Sequence, residues 1–463
     1  MQIPDRFAPG APGIPARWTS SAKSGVGTAL SGRSRIWFTF SHGIFNEIYY
    51  PRIDQACVRD MGLIVTDGVD FFSEEKRDAS TKVHWQEAGV PAFHLINTCR
   101  QGRYRIEKEI LSDPQRDSLL QQTRFIPQQG QLEDYRLYVL LAPHLGNQGA
   151  GNSAWIDEYK GVPMLFAERE GNALALACSV PWIRRSVGFV GSSDGWQDLA
   201  AHKQMTWDYT RAENGNVCLC AEIDLQSGAG EFFLTLGFGR NAAEAGNRAR
   251  ASLLDGFAAA QSEYVQQWQQ WQKTLLPIDA KRNREQCNLY RSSTAVVRTH
   301  EAFNFPGGII ASLSIPWGFS KGDNDLGGYH LTWPRDLVES ASGLLAVGAN
   351  DEVRRVLCYL QATQEADGHW AQNMWLDGSP YWDGIQMDET ALPVLLVDLA
   401  RREKVLTRKE VARFWPMVCQ AVSYLVRNGP VSPQDRWRKI RAIRRSRLPL
   451  KLQRFWQVRT WPI

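Results

Sequence analysis

After Asp435 the chain has no acidic residue, and its last 26 positions, Arg438–Ile463, carry nine Lys or Arg. That tail distorts the overall charge of +4: with 53 Lys+Arg against 49 Asp+Glu in total, the body ahead of Arg438 is mildly acidic. Nucleic-acid binding by the body therefore has no electrostatic support, and no nucleic-acid partner is expected. The eight cysteines (57, 99, 178, 218, 220, 287, 358 and 419) contain no C-x-x-C pair and no Cys/His spacing of a zinc site. Buried free thiols are the expectation instead. No apolar run approaches the ~18 residues of a membrane helix, and the opening MQIPDRFAPGAPGIPARW lacks the apolar stretch of a secretory leader. A soluble cytoplasmic protein without a membrane partner is the default.

A chain of 463 residues exceeds the ~250 to 300 at which single cores stop growing, so two domains are expected. From about residue 30 to 240 the pattern is one of strands. RYRIEKEIL (103–111) alternates in places, whereas RLYVLLAP (136–143), ALALACSV (173–180), VCLCAEIDL (217–225) and EFFLTLGFG (231–239) are apolar runs separated by Gly, Asn, Asp or Ser clusters. This favours a large antiparallel sandwich over alternating βαβ units, with Cys218 and Cys220 on one face of a strand. Beyond 240 the spacing becomes helical, first over 241–276 and then near 281–302, 336–349, 351–366, 386–403 and 407–428, with polar, aromatic-rich loops at 320–328 and 365–384. The expected division is a β-sandwich at 1–240, a helical linker at 241–280, a helical barrel or toroid at 281–437 and an aberrant basic tail at 438–463.

Trp333, Trp370, Trp375 and Trp382 fall within 50 residues, interleaved with Arg335, Asp336, Gln372, Asn373, Asp377, Gln386, Asp388 and Glu389. Indole faces stack on the C–H faces of pyranose rings, while planar amides, carboxylates and guanidinium groups bind hydroxyls in pairs. Neutral sugar suits this chemistry best. The competing structural reading is that the tryptophans plug a helix bundle. In Tyr-His-Leu-Thr-Trp-Pro-Arg-Asp (329–336) a proline-stiffened loop delivers Trp333, Arg335 and Asp336 to the start of a helix, where Asp336 would also serve as an N-cap.

That string resembles the Tyr-x-x-x-Trp-x-Arg-Asp signature of glycoside hydrolase family 15, the glucoamylase family. SRIWFTFSHGIFNEIYYPRID (34–54), RDMGLIVTDG (59–68) and GHWAQNMWLDGSPYWDGIQMDETALPVLL (368–396) are similar to further family segments in the same order. The resemblance implies an N-terminal antiparallel super-β-sandwich followed by an (α/α)6 barrel, a six-hairpin toroid that is incomplete in this chain. It implies inverting hydrolysis of α-glucosidic bonds at non-reducing ends of an α-glucan or oligosaccharide, with no metal or other cofactor. Tyr329, Trp333, Arg335 and Asp336 would hold the terminal glucose, Trp382 and Gln386 would contact sugar, and Asp435 and Trp437 would be substrate-binding residues in the segment that carries the general acid. Glucodextranase and trehalase of the same family are alternatives, and so is a noncatalytic carbohydrate-binding remnant.

In the family's Asp-x-Trp-Glu-Glu the first Glu is the general acid; here Asp435, Arg436 and Trp437 are followed by Arg438. The base is expected beyond Ile463. A basic tail can be an RNA- or membrane-binding arm, but the codons admit another account. Loss of one G after the Trp437 codon would turn EEDSGYSPFTLAVEIAAFLAGADVAD into the observed RKIRAIRRSRLPLKLQRFWQVRTWPI. The restored string begins with the absent Glu-Glu and continues as an amphipathic helix. The expectation is a frameshifted chain without its catalytic pair.

Overall fold

The computed structural model describes residues 5–19, 21–315 and 321–429, without the side chains of Gln286 and Cys287. Asp435, Trp437, Arg438 and the basic tail lie outside the described residues. Two compact units result. The first takes in the residues up to Gln272 together with Asn283–Thr299 and Ser314–Gly327, and the second comprises Lys273–Arg282, His300–Leu313 and the residues from Gly328 onward.

The first unit is built on two antiparallel sheets. One has nine strands in the spatial order Arg211–Gly215, Asn152–Tyr159, Val162–Arg169, Asn172–Cys178, Glu231–Gly239, Ser118–Pro127, Tyr104–Ser112, Val90–Cys99 and Ala79–Glu87. The other runs Trp182–Phe189, Val217–Ile223, Arg136–Pro143, Ala56–Thr66, Ile44–Tyr49, Trp37–Ser41 and Gly25–Thr28, with Phe72–Glu74 also paired to Ala56–Thr66. Side chains of a strand alternate between faces, so Phe232, Leu234, Leu236 and Phe238 enter the core between the sheets beside Leu137, Val139 and Leu141. Each such side chain contributes about 1.5–3 kcal/mol by leaving water.

Two short helices, α1 (Glu75–Asp78) and α2 (Gly195–His202), sit beside the second sheet, and Leu199 of α2 packs with Ile64, Tyr138 and Cys220. The outer face of the nine-stranded sheet is covered by α3 (Ala242–Asp255) and α4 (Phe257–Thr274). At Gly237 a Cβ would stand 2.4 Å from the Ala245 carbonyl oxygen and 2.6 Å from the Ala249 nitrogen, so α3 rests directly on the strand backbone. The helical stretch expected over 241–276 forms two helices, divided at Gly256, whose φ of 79° ends α3. The stretch expected as a linker belongs, as far as Gln272, to the first unit. The following helix α5 (Arg284–Thr299) belongs there too, with Ala295 in the cluster around Trp268 and Tyr264.

In the second unit α6 (Pro334–Ala346) packs on α7 (Asn350–Ala362) and α8 (Met387–Arg402), and α8 packs on α9 (Arg408–Asn428). A capping box closes the start of α9, where the Thr407 hydroxyl accepts from the Glu410 N–H and Glu410 accepts from Thr407. The loop at 365–384 contains a small ribbon, Asn373–Met374 against Pro380–Trp382. Among the described thiols five are buried, but Cys358 is only half-buried and Cys419 is exposed, which corrects the expectation of uniform burial. No helix among the described residues is long and apolar enough to cross a membrane.

Candidate functional site

Two helix starts in the second unit converge. Helix α6 begins with Pro334 at its first position, where a missing N–H costs nothing. Trp333 is the N-cap residue without a side-chain cap, and Asp336 stands in the first turn, so the N-cap role expected for Asp336 is not the observed one. The chain leading into α6 is pinned on both sides. Thr332 and Met374 exchange backbone hydrogen bonds of 3.0 and 2.9 Å, the Ala311 N–H donates to the Leu331 oxygen at 2.9 Å, and the Ser312 N–H donates to the Tyr329 oxygen at 2.8 Å.

From this platform Arg335 reaches the first turn of α8. Its Nη1 donates to Gln386 Oε1 at 3.0 Å and to Glu389 Oε1 at 2.7 Å, and its Nη2 lies 3.3 Å from Asp336 Oδ2. The Arg335 backbone N–H donates to Glu389 as well, and Asp388 Oδ2 is 3.7 Å from Nη1. One guanidinium thus faces three carboxylates and an amide. Burial pushes the Glu389 carboxyl well above its ordinary value against the pull of Arg335. Asp336 moves the same way for the same first cause, but its side chain is 36% exposed whereas that of Glu389 is fully buried.

The aromatics divide similarly. Trp333 is buried, donates its Nε1–H to the Gly328 oxygen at 2.9 Å and stacks on Tyr329 with ring centroids 6.1 Å apart. Trp382, at the end of the ribbon, meets Trp333 edge-on at 5.7 Å and remains 39% exposed. Its backbone N–H donates to Asn373 Oδ1 at 2.9 Å. Trp370 is fully buried with its Nε1–H on the Leu360 oxygen, so for this residue the bundle-plugging reading holds. Trp375 lies edge-on to both His330 and Tyr381.

Tyr329, Trp333, Arg335, Asp336, Trp382 and Gln386 therefore form one connected cluster, while Asp435, Trp437 and the position of Arg438 lie outside the described residues. Sequence reasoning missed two supports. The Gly328 carbonyl accepts from Trp333 and from Asn373 Nδ2. His330 is wholly buried behind the motif, and burial lowers its pKa to about 3, so it is neutral at ordinary pH. A histidine flanked by Tyr329 and Leu331 was the available signal. No group of three or more His, Cys, Asp or Glu able to hold a metal occurs among the described residues.

Residues 8–273 match the family described as glucodextranase, domain N, and residues 288–368 match glycosyl hydrolases family 15. The chain is 37% identical over 440 residues to the glucoamylase of Clostridium sp. (strain G0005), covering 94% of this chain and 61% of that protein. An uncharacterized glycosyl hydrolase of Methanocaldococcus jannaschii is 31% identical over 121 residues, which are 26% of this chain and 18% of that one. The crystal structure of a bacterial glucoamylase complexed with acarbose superposes with a TM-score of 0.87 at 35% identity, over 93% of this chain and 62% of that one. The chain thus spans about six tenths of the length of the glucoamylases it matches. Tyr329 to Asp336 fall inside the family 15 match, whereas Trp382 and Gln386 lie beyond it.

Proposed function

We propose, from the premise that this chain belongs to the glucodextranase N-domain family and continues into glycosyl hydrolases family 15, that the cluster around Arg335 is the sugar-contacting face of a glucoamylase-like enzyme. In this reading the terminal glucose of an α-glucan lies against Trp382, the exposed indole of the group, with Asp336 and the edge of Arg335 toward its outer hydroxyls. Buried Trp333 and Tyr329 support the platform, and Gln386 with Glu389 orients the guanidinium. The observation that carries the reading is the junction of an exposed indole with a guanidinium held from both helix starts. Hydrolysis in such an enzyme uses one carboxylic acid to protonate the leaving oxygen and a second carboxylate to activate water, roughly 6.5 to 9.5 Å apart for inversion.

This polypeptide carries Arg438 where the resemblance puts the acid, and a guanidinium cannot donate that proton at any working pH. Binding without hydrolysis is the expected behaviour. Glucose release from maltose, isomaltose and trehalose should be at background while maltotriose still binds, and Trp382→Ala should weaken that binding about tenfold through loss of ring stacking. Release of glucose by the chain itself would refute the loss of activity, and unchanged affinity in Trp382→Ala would refute the assigned face. Reading the DNA across the Trp437 codon tests the frameshift: restoring one base should open Glu-Glu and a continuing barrel sequence.

A further inference from the structure

The first unit contains a cavity of about 300 Å³ that the cluster around Arg335 does not use. Four successive strands of the second sheet supply its floor, through Cys218, Leu140, Gly62 and Ile44. It continues the sheet face on which Ile64 and Cys220 pack under α2, not the face that fills the core. Gly62 sits opposite Leu140 in the register. A Cβ at Gly62 would stand 2.8 Å from Ile44 Cγ2, so the absence of a side chain at this strand-interior residue lets Ile44 pack directly on the strand at the floor of the cavity.

The walls are polar and already balanced in charge, with Arg59, Lys76 and Arg77 against Asp60, Glu74 and Asp194. On one side Asp60 holds Arg59 and Lys76, each at 3.2 Å. On the other, Trp196 of α2 donates its Nε1–H to Glu74 Oε2 at 3.1 Å, and the Arg77 guanidinium lies 5.7 Å from the indole centroid and 3.3 Å from Glu74. Gln197 adds an amide beside Trp196. Arg59 Nε is buried without a hydrogen-bond acceptor.

Each candidate ligand class can be weighed against this lining. An inorganic anion finds the cationic groups occupied by Asp60 and Glu74. A purely apolar molecule would leave Arg59 Nε unsatisfied and cover ion pairs without replacing their water. A neutral polyhydroxylated ring satisfies both halves, laying C–H faces on Gly62, Leu140 and the indole and offering hydroxyls to Arg59, Asp60 and Gln197. The volume suits a ligand of small-molecule size. We propose that this cavity is a second saccharide site, holding one or two neutral hexopyranosyl units in the β-sandwich unit. Only the choice of glucose units rests on the function proposed above.

Isothermal titration of the full chain with maltotriose tests this, using Trp196→Ala and Gln197→Ala on the sandwich and Trp382→Ala on the helical unit, each checked for an unchanged thermal melt. The wild type should bind two equivalents, and Trp382→Ala should weaken one of them about tenfold and leave the other unchanged. In the Trp382→Ala background, Trp196→Ala should raise Kd at least tenfold and Gln197→Ala several-fold. A wild type with one equivalent that Trp382→Ala weakens and Trp196→Ala leaves unchanged would overturn the second site and leave the first. One equivalent abolished by Trp196→Ala and indifferent to Trp382→Ala would support the second site and overturn the proposed sugar face. Absence of binding in every variant and the wild type overturns both.

Discussion

Arg335→Met should be the most damaging single change in the helical unit. The wild-type guanidinium lies 2.7 Å from Glu389 Oε1, with a side chain 10% exposed against 0% for Glu389. At an effective dielectric of ~20 the direct attraction at that separation is about 6 kcal/mol, and most of it offsets the cost of taking both charges out of water. Removing only the cation leaves the Glu389 carboxyl, which burial already pushes up, without its partner beside Asp388 and Asp336; breaking such a pair costs about 3–5 kcal/mol, less to the extent that the carboxyl takes up a proton. Arg335→Lys keeps the charge, but a single ammonium cannot span Gln386, Glu389 and Asp336 as the planar fork does. It should cost about 1–2 kcal/mol.

A double-mutant cycle separates the pair from the two residues. Glu389→Gln keeps an acceptor for the Arg335 backbone N–H while removing the negative charge. Combined with Arg335→Met it should cost less than the sum of the two changes by about 2–3 kcal/mol. Urea unfolding followed by far-ultraviolet circular dichroism gives the totals, and hydrogen exchange at amides of α6 and α8 reports whether the loss is local. Costs that add within about 0.5 kcal/mol would refute the coupling, and with it the argument that Glu389 exists to hold Arg335 in place.

Three further outcomes are expected. In the sandwich, Lys108 Nζ donates to Glu75 Oε2 at 2.6 Å and to the Gly43 oxygen at 2.9 Å with both charged side chains buried, so Lys108→Met should cost about 3–5 kcal/mol in urea unfolding, and a cost below ~1 would contradict the pairing. His330, lowered to about 3 by burial, stays neutral when folded, while the unfolded chain takes up a proton below its ordinary ~6.5; its contribution is complete above pH ~6.5 and is lost as pH falls toward 3. The stability of the wild type relative to His330→Phe should therefore drop by about 2 kcal/mol between pH 6.5 and 5, and a pH-independent difference would count against a neutral buried ring. Maleimide labelling of the native chain should modify Cys419 first among the described thiols, whereas Cys57 and Cys178, pushed up to about 12 by burial, should react only after denaturation.

The legible parts of the fold were those where burial follows a short period. EFFLTLGFG (231–239) is apolar on both faces because one side meets the opposite sheet and the other meets α3 and α4, and a run of that kind is readable without knowing its neighbours. The break at Gly256 was less legible, since one glycine in a helical stretch is tolerated or terminal according to the φ that packing imposes. Composition suggested the sugar-binding reading proposed for the cluster but could not rank its tryptophans. Whether an indole stacks on a ligand or plugs a bundle depends on contacts distant in sequence. Trp333 is enclosed by Tyr329, the Gly328 carbonyl and Trp382, and Trp382 is exposed because Asn373, nine residues earlier, holds its backbone at the end of a ribbon. The partnership of Arg335 with Glu389 spans 54 residues and exists because two helices start side by side. The motif therefore names the residues that meet sugar in the proposed function, while the precision of that meeting resides in Gly328, Asn373 and Glu389. That division places the larger structural penalty on Arg335→Met and the larger ligand-specific one on Trp382→Ala.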